Sequence, residues 1–583
     1  MSFSAQNVVF FFLLTFDIFS LPNQNQNMSS EFKPWLNNYP AGVPIKIDPD
    51  QYPTVLHFLQ EIFARFSKLK AFSCMGKEIT YAEADRLSTY MGAYLQSRGL
   101  QPGDKIAIMM PNLLQYPIVL IGALRAGLVV VNTNPLYTPR EMQHQFKDSG
   151  AKAIVIAENF AANLQKVLPE TDIKIVITTS IGEMLGFPKG NIVNFVVRKI
   201  KRMVPAYQLV NAVTFSDAIS QGRKFTLKPH QGHADEVILL QYTGGTTGVS
   251  KGAMLTNRNL VANMLQIRAW MSPLLKEGEE IVLCPLPLYH IFAFTVNLLA
   301  MMGYGTLSIL VTNARDLPSV IKVLKSSKVS VITGVNTLFN ALLNHPEFSG
   351  IDFSALKVTV GGGMAVQRPV AEAWKKATGC ALSEGYGMTE SSPVVSVNPL
   401  DQTGKLGTIG LPVPSTELRI VDEQGNVLGP EQVGEIQAKG PQVMKGYYNK
   451  PEETAKTIVD GWLCTGDIGI MHEDGFFQIV DRKKDMILVS GFNVFPNEIE
   501  EVLMTHPKVL EAAAIGIQDA KSGEAVKVFI VKKDNSLTQK EIIGYCRDNL
   551  TGYKVPKEVE FRTELPKTNV GKILRRMLKE ENG

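Results

Sequence analysis

Residues 237–252 read VILLQYTGGTTGVSKG. Val237 to Gln241 is a short apolar run, a strand candidate, and it ends in a glycine-rich loop; α/β folds place ligands where a strand feeds such a loop. Gly244, Gly245, Gly248 and Gly252 allow close backbone approach and amides that face an anion. Thr243, Thr246 and Thr247 add hydroxyl donors and Lys251 a positive charge, which together compose a phosphate cradle. It is not a Walker A loop, which needs Gly-Lys-Ser/Thr in succession, because Lys251 follows Ser250 and precedes Gly252. The plainer alternative is a flexible glycine turn between a strand and a helix.

Around this loop, from about Thr54 to Lys450, helical patterns such as Tyr81 to Gly99 alternate with β-branched runs: KIAIMM at 105–110, KAIVIA at 152–157 and KIVITT at 174–179. Alternation of this kind predicts an α/β body with largely parallel sheets. From Leu418 to Tyr448 short alternating strands and turn signals predict a β-rich subdomain. The charge cluster Asp481-Arg482-Lys483-Lys484-Asp485 then separates two strand candidates, and the main boundary is expected there. Beyond it, helix patterns at Pro496 to His506 and Thr538 to Leu550, with strands at Ala512 to Ile517 and Val526 to Lys532, predict a small α+β lid.

The composition narrows the function classes. Of 583 residues 45% are hydrophobic and 20% charged, as in a globular protein, and 59 basic against 55 acidic residues leave a formal charge of +4, too balanced to argue for nucleic acid. The five cysteines are scattered without zinc-ligand spacing, as expected of free thiols in a reducing cytosol. Val8 to Phe16 is apolar, but no charged segment precedes it and it is too short to span a bilayer, so residues 1–27 read as a non-native or dispensable extension.

Three further constellations can carry chemistry. In Glu384-Gly385-Tyr386-Gly387-Met388-Thr389-Glu390 an aromatic lies between glycines, able to stack on a base, with Glu390 available to a metal; the alternative is a simple turn. Gly361-Gly362-Gly363 offers either close backbone approach to a ligand or loop flexibility. In Trp462-Leu463-Cys464-Thr465-Gly466-Asp467 the carboxylate follows a tight glycine and can accept from a ribose diol, with Arg482 to reinforce it. Near the C-terminus, PKTNVGKILRR at 566–576 is basic and free of acid, and contains Lys572.

In this order the segments resemble the adenylate-forming superfamily, and specifically the long-chain fatty acyl-CoA synthetases of Gram-negative bacteria. The resemblance runs from about Trp35 to Arg576, and its most specific stretch is DGWLCTGDIGIMHEDGFFQIVDRKK at 460–484. It implies an AMP-binding body over residues 28–481 built of packed α/β subdomains plus a β-rich one, and a small mobile α+β lid over 482–583. It implies further that ATP and coenzyme A are co-substrates, with Mg²⁺ as cofactor and a fatty acid as substrate. Thr243 to Gly252 would hold the phosphates, Gly361 to Gly363 and Gly385 to Tyr386 would form the adenine pocket, and Glu384, Gly387 and Thr389 would also bind ATP. Asp467 would bind ribose, Arg482 would touch the nucleotide, and Thr243 and Glu390 would meet the metal. Lys484 would be the hinge, Lys572 would reach the reacting carboxylate, and His290, in Pro287-Leu288-Tyr289-His290, would line the acyl site. Ser250 stands where many relatives carry proline and Leu488 where many carry lysine; neither removes a reacting group. A cytoplasmic location, peripheral contact with the inner membrane and a homodimer are further expectations. For the membrane contact the sequence offers KGNIVNFVVRKIKRMV at 189–204, basic and apolar with no acid. The segment reads equally as a helix packed on the body with a solvated basic face.

Overall fold

The computed structural model describes residues 33–243, 250–519, 521–568 and 571–582. The expected extension 1–27 and the loop residues Gly244, Gly245, Thr246, Thr247 and Gly248 lie outside the described residues. Strand Val237–Thr243 stands third in an eight-stranded sheet, between Lys251–Thr256 and Val129–Asn132. On the Val129–Asn132 side the pairings are parallel through Lys105–Met109, Ala151–Ala157, Ile175–Thr179 and Val213–Thr214. Apart from the edge strand Val213–Thr214, these strands are almost wholly buried, which is why their sequence reads as continuous apolar runs rather than alternation.

On the other side the plainer alternative, a turn from strand to helix, does not hold. The glycine-rich segment joins two antiparallel strands, with Thr243 and Lys251 in register, and the helix Asn257–Met271 begins only after the second strand. Thr256 caps that helix by accepting from the Asn259 backbone N–H at 3.2 Å.

A second, nine-stranded sheet carries the other motifs. Its central strands Leu382–Gly387, Val358–Gly362, Val331–Gly334 and Ile281–Cys284 run parallel, so the glycine motif at 361–363 and the motif at 384–387 end side by side. Register pairs Gly361 with Glu384 and Gly362 with Gly385. The β-rich subdomain is an antiparallel five-stranded sheet of Glu417–Val421, Gly434–Lys439, Ile458–Val459, Trp462–Met471 and Phe477–Arg482. It therefore extends beyond the expected end at Tyr448, while Gly446–Tyr447 leaves it to pair with Lys251–Thr256 of the first sheet. Helical and glycine-rich residues between the strands hid this continuation.

The C-terminal sheet starts with the hairpin Ile487–Val489 and Phe492–Val494, with four residues between it and the end of Phe477–Arg482. Its long strands Val509–Asp519 and Gly523–Lys532 alternate between two small cores. Ala512, Ala514, Val528 and Ile530 face helices Pro496–Met504 and Gln539–Asn549, whereas Ala513, Ile515, Phe529 and Val531 meet Leu565 and Leu578. Among the described residues, no helix is long and apolar enough to cross a membrane.

Candidate active site

Between the sheets and the C-terminal segment lies one cavity of about 1480 Å³. Thr243 and Lys251 open onto it from facing positions of the hairpin. Lys251 Nζ pairs with Glu453 Oε2 at 2.7 Å and lies 4.9 Å from the centre of the Tyr447 ring. The Tyr447 hydroxyl in turn donates to Glu390 Oε1 at 2.6 Å. Glu390 is held in the turn Thr389–Ser391, where burial raises its pKa even though the Tyr447 hydrogen bond pulls the other way.

The adenine-pocket candidates divide. Gly362, Gly363, Glu384, Gly385, Tyr386, Gly387 and Thr389 border the cavity, but Gly361 does not. Its glycine is needed for packing, since a Cβ there would sit 2.5 Å from Val366 Cγ2. Gly363 has φ of +78°, a left-handed conformation that other residues rarely adopt. Burial pushes the Glu384 carboxyl up to about 8, against the Val366 backbone N–H and with help from Glu501, so near neutrality it holds its proton. Tyr386 is committed through its edge: its hydroxyl donates to Asp467 Oδ2 at 2.6 Å. Arg482 Nε lies 3.3 Å from Asp467 Oδ1, because Asp467 and Arg482 are cross-strand partners in the β-rich sheet.

The lid side brings Lys572, Lys484 and Arg575. Gly571 touches the body, its carbonyl accepting from Thr337 Oγ1 at 3.1 Å, and this anchors the segment that carries Lys572. Among the described residues Lys572 Nζ has no hydrogen bond or ion pair; burial, together with Arg482, pulls its pKa down to about 7. His290 faces the same space, and burial plus the nearby Lys572 lower it to about 4. Its Nδ1 accepts from the Phe292 N–H at 3.3 Å, so the imidazole is neutral at physiological pH and acts as lining, not as a source of charge. Lys484 also borders the cavity, lowered to about 8 by burial and then by Arg482. Leu488 is half exposed on the lid hairpin and does not border the cavity.

Two partners were not singled out in the sequence. Tyr447 holds Glu390 from 57 residues away, and no local pattern marks it. Arg575, visible only as part of a basic tail, grips Glu500 with two bonds at 2.9 and 2.7 Å and reaches Asp481 at 3.3 Å.

For magnesium, the residues fit a site shared with a nucleotide. The Glu390 carboxylate accepts from the Tyr447 hydroxyl and borders the cavity together with Thr243, while no group of three or more His, Cys, Asp or Glu among the described residues could hold a metal ion. Mg²⁺ is commonly held by one or two carboxylates plus substrate phosphates.

The family models agree with this assembly: one for the AMP-binding enzyme matches residues 59–448, and one for the AMP-binding enzyme C-terminal domain matches residues 498–572. The chain belongs to the AMP-binding enzyme family. This AMP-binding enzyme is 55% identical over 550 residues to a long-chain-fatty-acid–CoA ligase of Escherichia coli O6:H1, covering 94% of this chain and 98% of that protein. A long-chain-fatty-acid–CoA ligase of Haemophilus influenzae is 50% identical over 94% of this chain and 98% of its own length. The tobacco (Nicotiana tabacum) 4-coumarate–CoA ligase 2 is 32% identical over 91% and 95% respectively. Among solved structures, MatB from Rhodopseudomonas palustris with bound ATP superposes at a TM-score of 0.78 and 26% identity, over 90% of this chain and 98% of that one. The anthranilate CoA ligase AuaEII shares the fold at a TM-score of 0.82 and 23% identity, over 92% and 99%.

Proposed function

We propose that this AMP-binding enzyme is a long-chain-fatty-acid–CoA ligase: it joins a fatty acid to ATP as acyl-adenylate with release of pyrophosphate, then transfers the acyl group to coenzyme A. The observation that carries the reading is the single cavity, in which Thr243, Glu390, Asp467 and Lys572 converge from four distant segments. At about 1480 Å³ it exceeds the roughly 300–1,000 Å³ of ordinary ligand pockets. Ile267, Trp270, Met271, Val296 and Val397 give it an apolar wall fit for an alkyl chain.

In the first step a fatty-acid carboxylate oxygen bonds to the α-phosphorus and the bond to the β-phosphate bridging oxygen breaks. Lys572 holds its proton on Nζ once the anionic groups arrive, and neutralises charge between carboxylate and phosphate. Asp467 accepts from the ribose diol, positioned by Tyr386 and Arg482. Lys251 and the loop amides bind the departing phosphates, and Glu384, holding its proton, adds no negative charge beside the nucleotide. Magnesium, held by Glu390 and Thr243, would supply Lewis-acid stabilisation of the phosphates. In the second step the coenzyme A thiolate attacks the acyl carbonyl and AMP leaves. Lys572 has little to do there, which suits a division into a body ending at residue 481 and a lid over 482–583 that turns at Lys484. The short link between strands Phe477–Arg482 and Ile487–Val489 supports that division. The reading includes a cytoplasmic chain in peripheral contact with the membrane, and a homodimer, which sedimentation velocity would test.

The experiment is pyrophosphate release without coenzyme A and AMP release with it, across fatty acids from short to very long chain and 4-coumarate. Long-chain acids are expected to turn over fastest. Preference for the aromatic acid would overturn the substrate assignment.

A further inference from the structure

The segment 187–203 turns its largest apolar side chains outward. It begins as helix Lys189–Phe195 and continues as a π-helical turn over Val196–Ile200. Beside the buried Val197, two of its polar side chains turn to the body: Asn194 accepts from the Gly182 N–H at 2.8 Å and donates to Ser180 Oγ at 3.0 Å. Arg198 makes three bonds to the buried Glu158, at 2.9, 3.1 and 2.7 Å. The large apolar side chains face out: Phe187 is 89% exposed, Ile192 and Phe195 each 59%, Ile200 65% and Met203 51%. An ordinary surface helix does the reverse.

The wide turn aligns this outer face. In an α-helix five residues rotate by about 500°, which would put Ile200 some 140° away from Phe195. The π turn, closed by the Lys201 N–H to the Val196 carbonyl at 2.8 Å, is wider and turns Ile200 back toward the side of Phe195. Beside the stripe lie Lys199, Lys201 and Arg202, exposed and without an ion-pair partner among the described residues.

We infer that this face docks the enzyme on an anionic lipid bilayer, with Ile192, Phe195 and Ile200 among the acyl chains and Lys199, Lys201 and Arg202 among the headgroup phosphates. The inference rests on the peripheral-membrane reading above and names the surface that makes the contact. It corrects the simpler picture of a uniformly basic helix, because Arg198 is a structural cation bound to Glu158. An apolar stripe flanked by unpaired cations selects a surface that is greasy inside and anionic at its edge, which is why a bilayer fits it.

The test is flotation of the full chain with phosphatidylglycerol-containing vesicles and with pure phosphatidylcholine vesicles. The wild type should bind the first and bind the second weakly. Phe187→Ser/Phe195→Ser/Ile200→Ser should lower the partition coefficient at least tenfold on both. Lys199→Gln/Lys201→Gln/Arg202→Gln should lower it by roughly 100-fold on anionic vesicles at low salt and little on neutral ones. Both variants should keep turnover of detergent-dispersed fatty acid, so loss of docking is read separately from loss of ligase activity. Phe195→Trp guards against misfolding of the triple variants, since brominated lipid should quench its fluorescence. Unchanged flotation of the serine variant, or no quenching of the tryptophan, overturns the proposal. So does a change in sedimentation coefficient without vesicles in the serine variant, because the face would then pair two copies of the chain.

Discussion

Two walls of one cavity handle charge in opposite ways. On the body side each carboxylate expected to meet ATP has a protein partner: Glu390 takes the Tyr447 hydroxyl, and Asp467 takes Tyr386 and Arg482. On the lid side the cations separate into two kinds within three residues. Arg575 is surrounded by Glu500, Asp481 and Asp485, while Lys572 has no ion partner among the described residues. A cation with its own carboxylates is an anchor. One held in a buried place without any is poised to bind the first anion that enters, and burial lowers its pKa to about 7 until that anion arrives.

The sharpest way to break this contrast is Lys572→Ala. Adenylation should slow by ~10²-fold or more, the scale of losing one preorganised electrostatic donor, while synthetic acyl-adenylate and coenzyme A still give acyl-CoA at near wild-type rate. Lys484→Pro should give the reverse pattern, with pyrophosphate release kept and thioester formation lost. Equal damage to both half-reactions in the Lys572 variant would make Lys572 an anchor like its neighbour.

Arg575→Met should behave as an anchor does. Removing one member of a buried ion network costs about 3–5 kcal/mol, so the lid should lose hydrogen-exchange protection over residues 496–532 and both half-reactions should fall together. Preserved protection with only adenylation lost would erase the distinction between the two residues.

On the body wall, Tyr386→Phe removes one hydroxyl from Asp467. An effect of about tenfold on KM for ATP is expected, with kcat nearly unchanged, because the carboxylate loses its orientation and not its charge.

Two proton-linked tests sharpen the comparison at the smallest scale. The Lys572 pKa lies far below the ordinary 10.5, so at a pH between about 7 and 10.5 the free folded enzyme leaves Lys572 neutral. ATP binding in that window should take up a proton, read by calorimetry in two buffers of different ionisation enthalpy, and Lys572→Met should take up less, keeping only what Glu384 contributes above about 8. Glu384 is the opposite case, its carboxyl raised to about 8. Glu384→Gln should match the wild type within about threefold near neutrality, where the carboxyl is protonated. Above about 8 the wild type should lose ATP affinity as the carboxylate forms, and the glutamine variant should stay flat.

Much of this was legible in the chain. The apolar runs at 105–110, 152–157 and 174–179 are buried parallel strands, since a strand covered on both faces needs apolar residues at nearly every position. Among the described residues, the motif side chains expected to bind ATP border one cavity with the exception of Gly361, whose glycine serves Val366. The β-rich sheet was read too short because the helix Pro451–Thr457 interrupts it and its last two strands carry Gly466, Asp467 and Arg482, poor strand formers.

By itself the sequence determined the strand pattern, the order of the ligand-facing loops and the chemical types they offer, because periodicity and local motif spacing are properties of neighbours along the chain. Only the tertiary structure decided which lysine stays unpaired, which tyrosine holds Glu390 and which face of 187–203 turns outward. Those depend on groups tens to hundreds of residues apart meeting in a low-dielectric interior, where a single contact at under 3 Å moves a pKa or commits a charge.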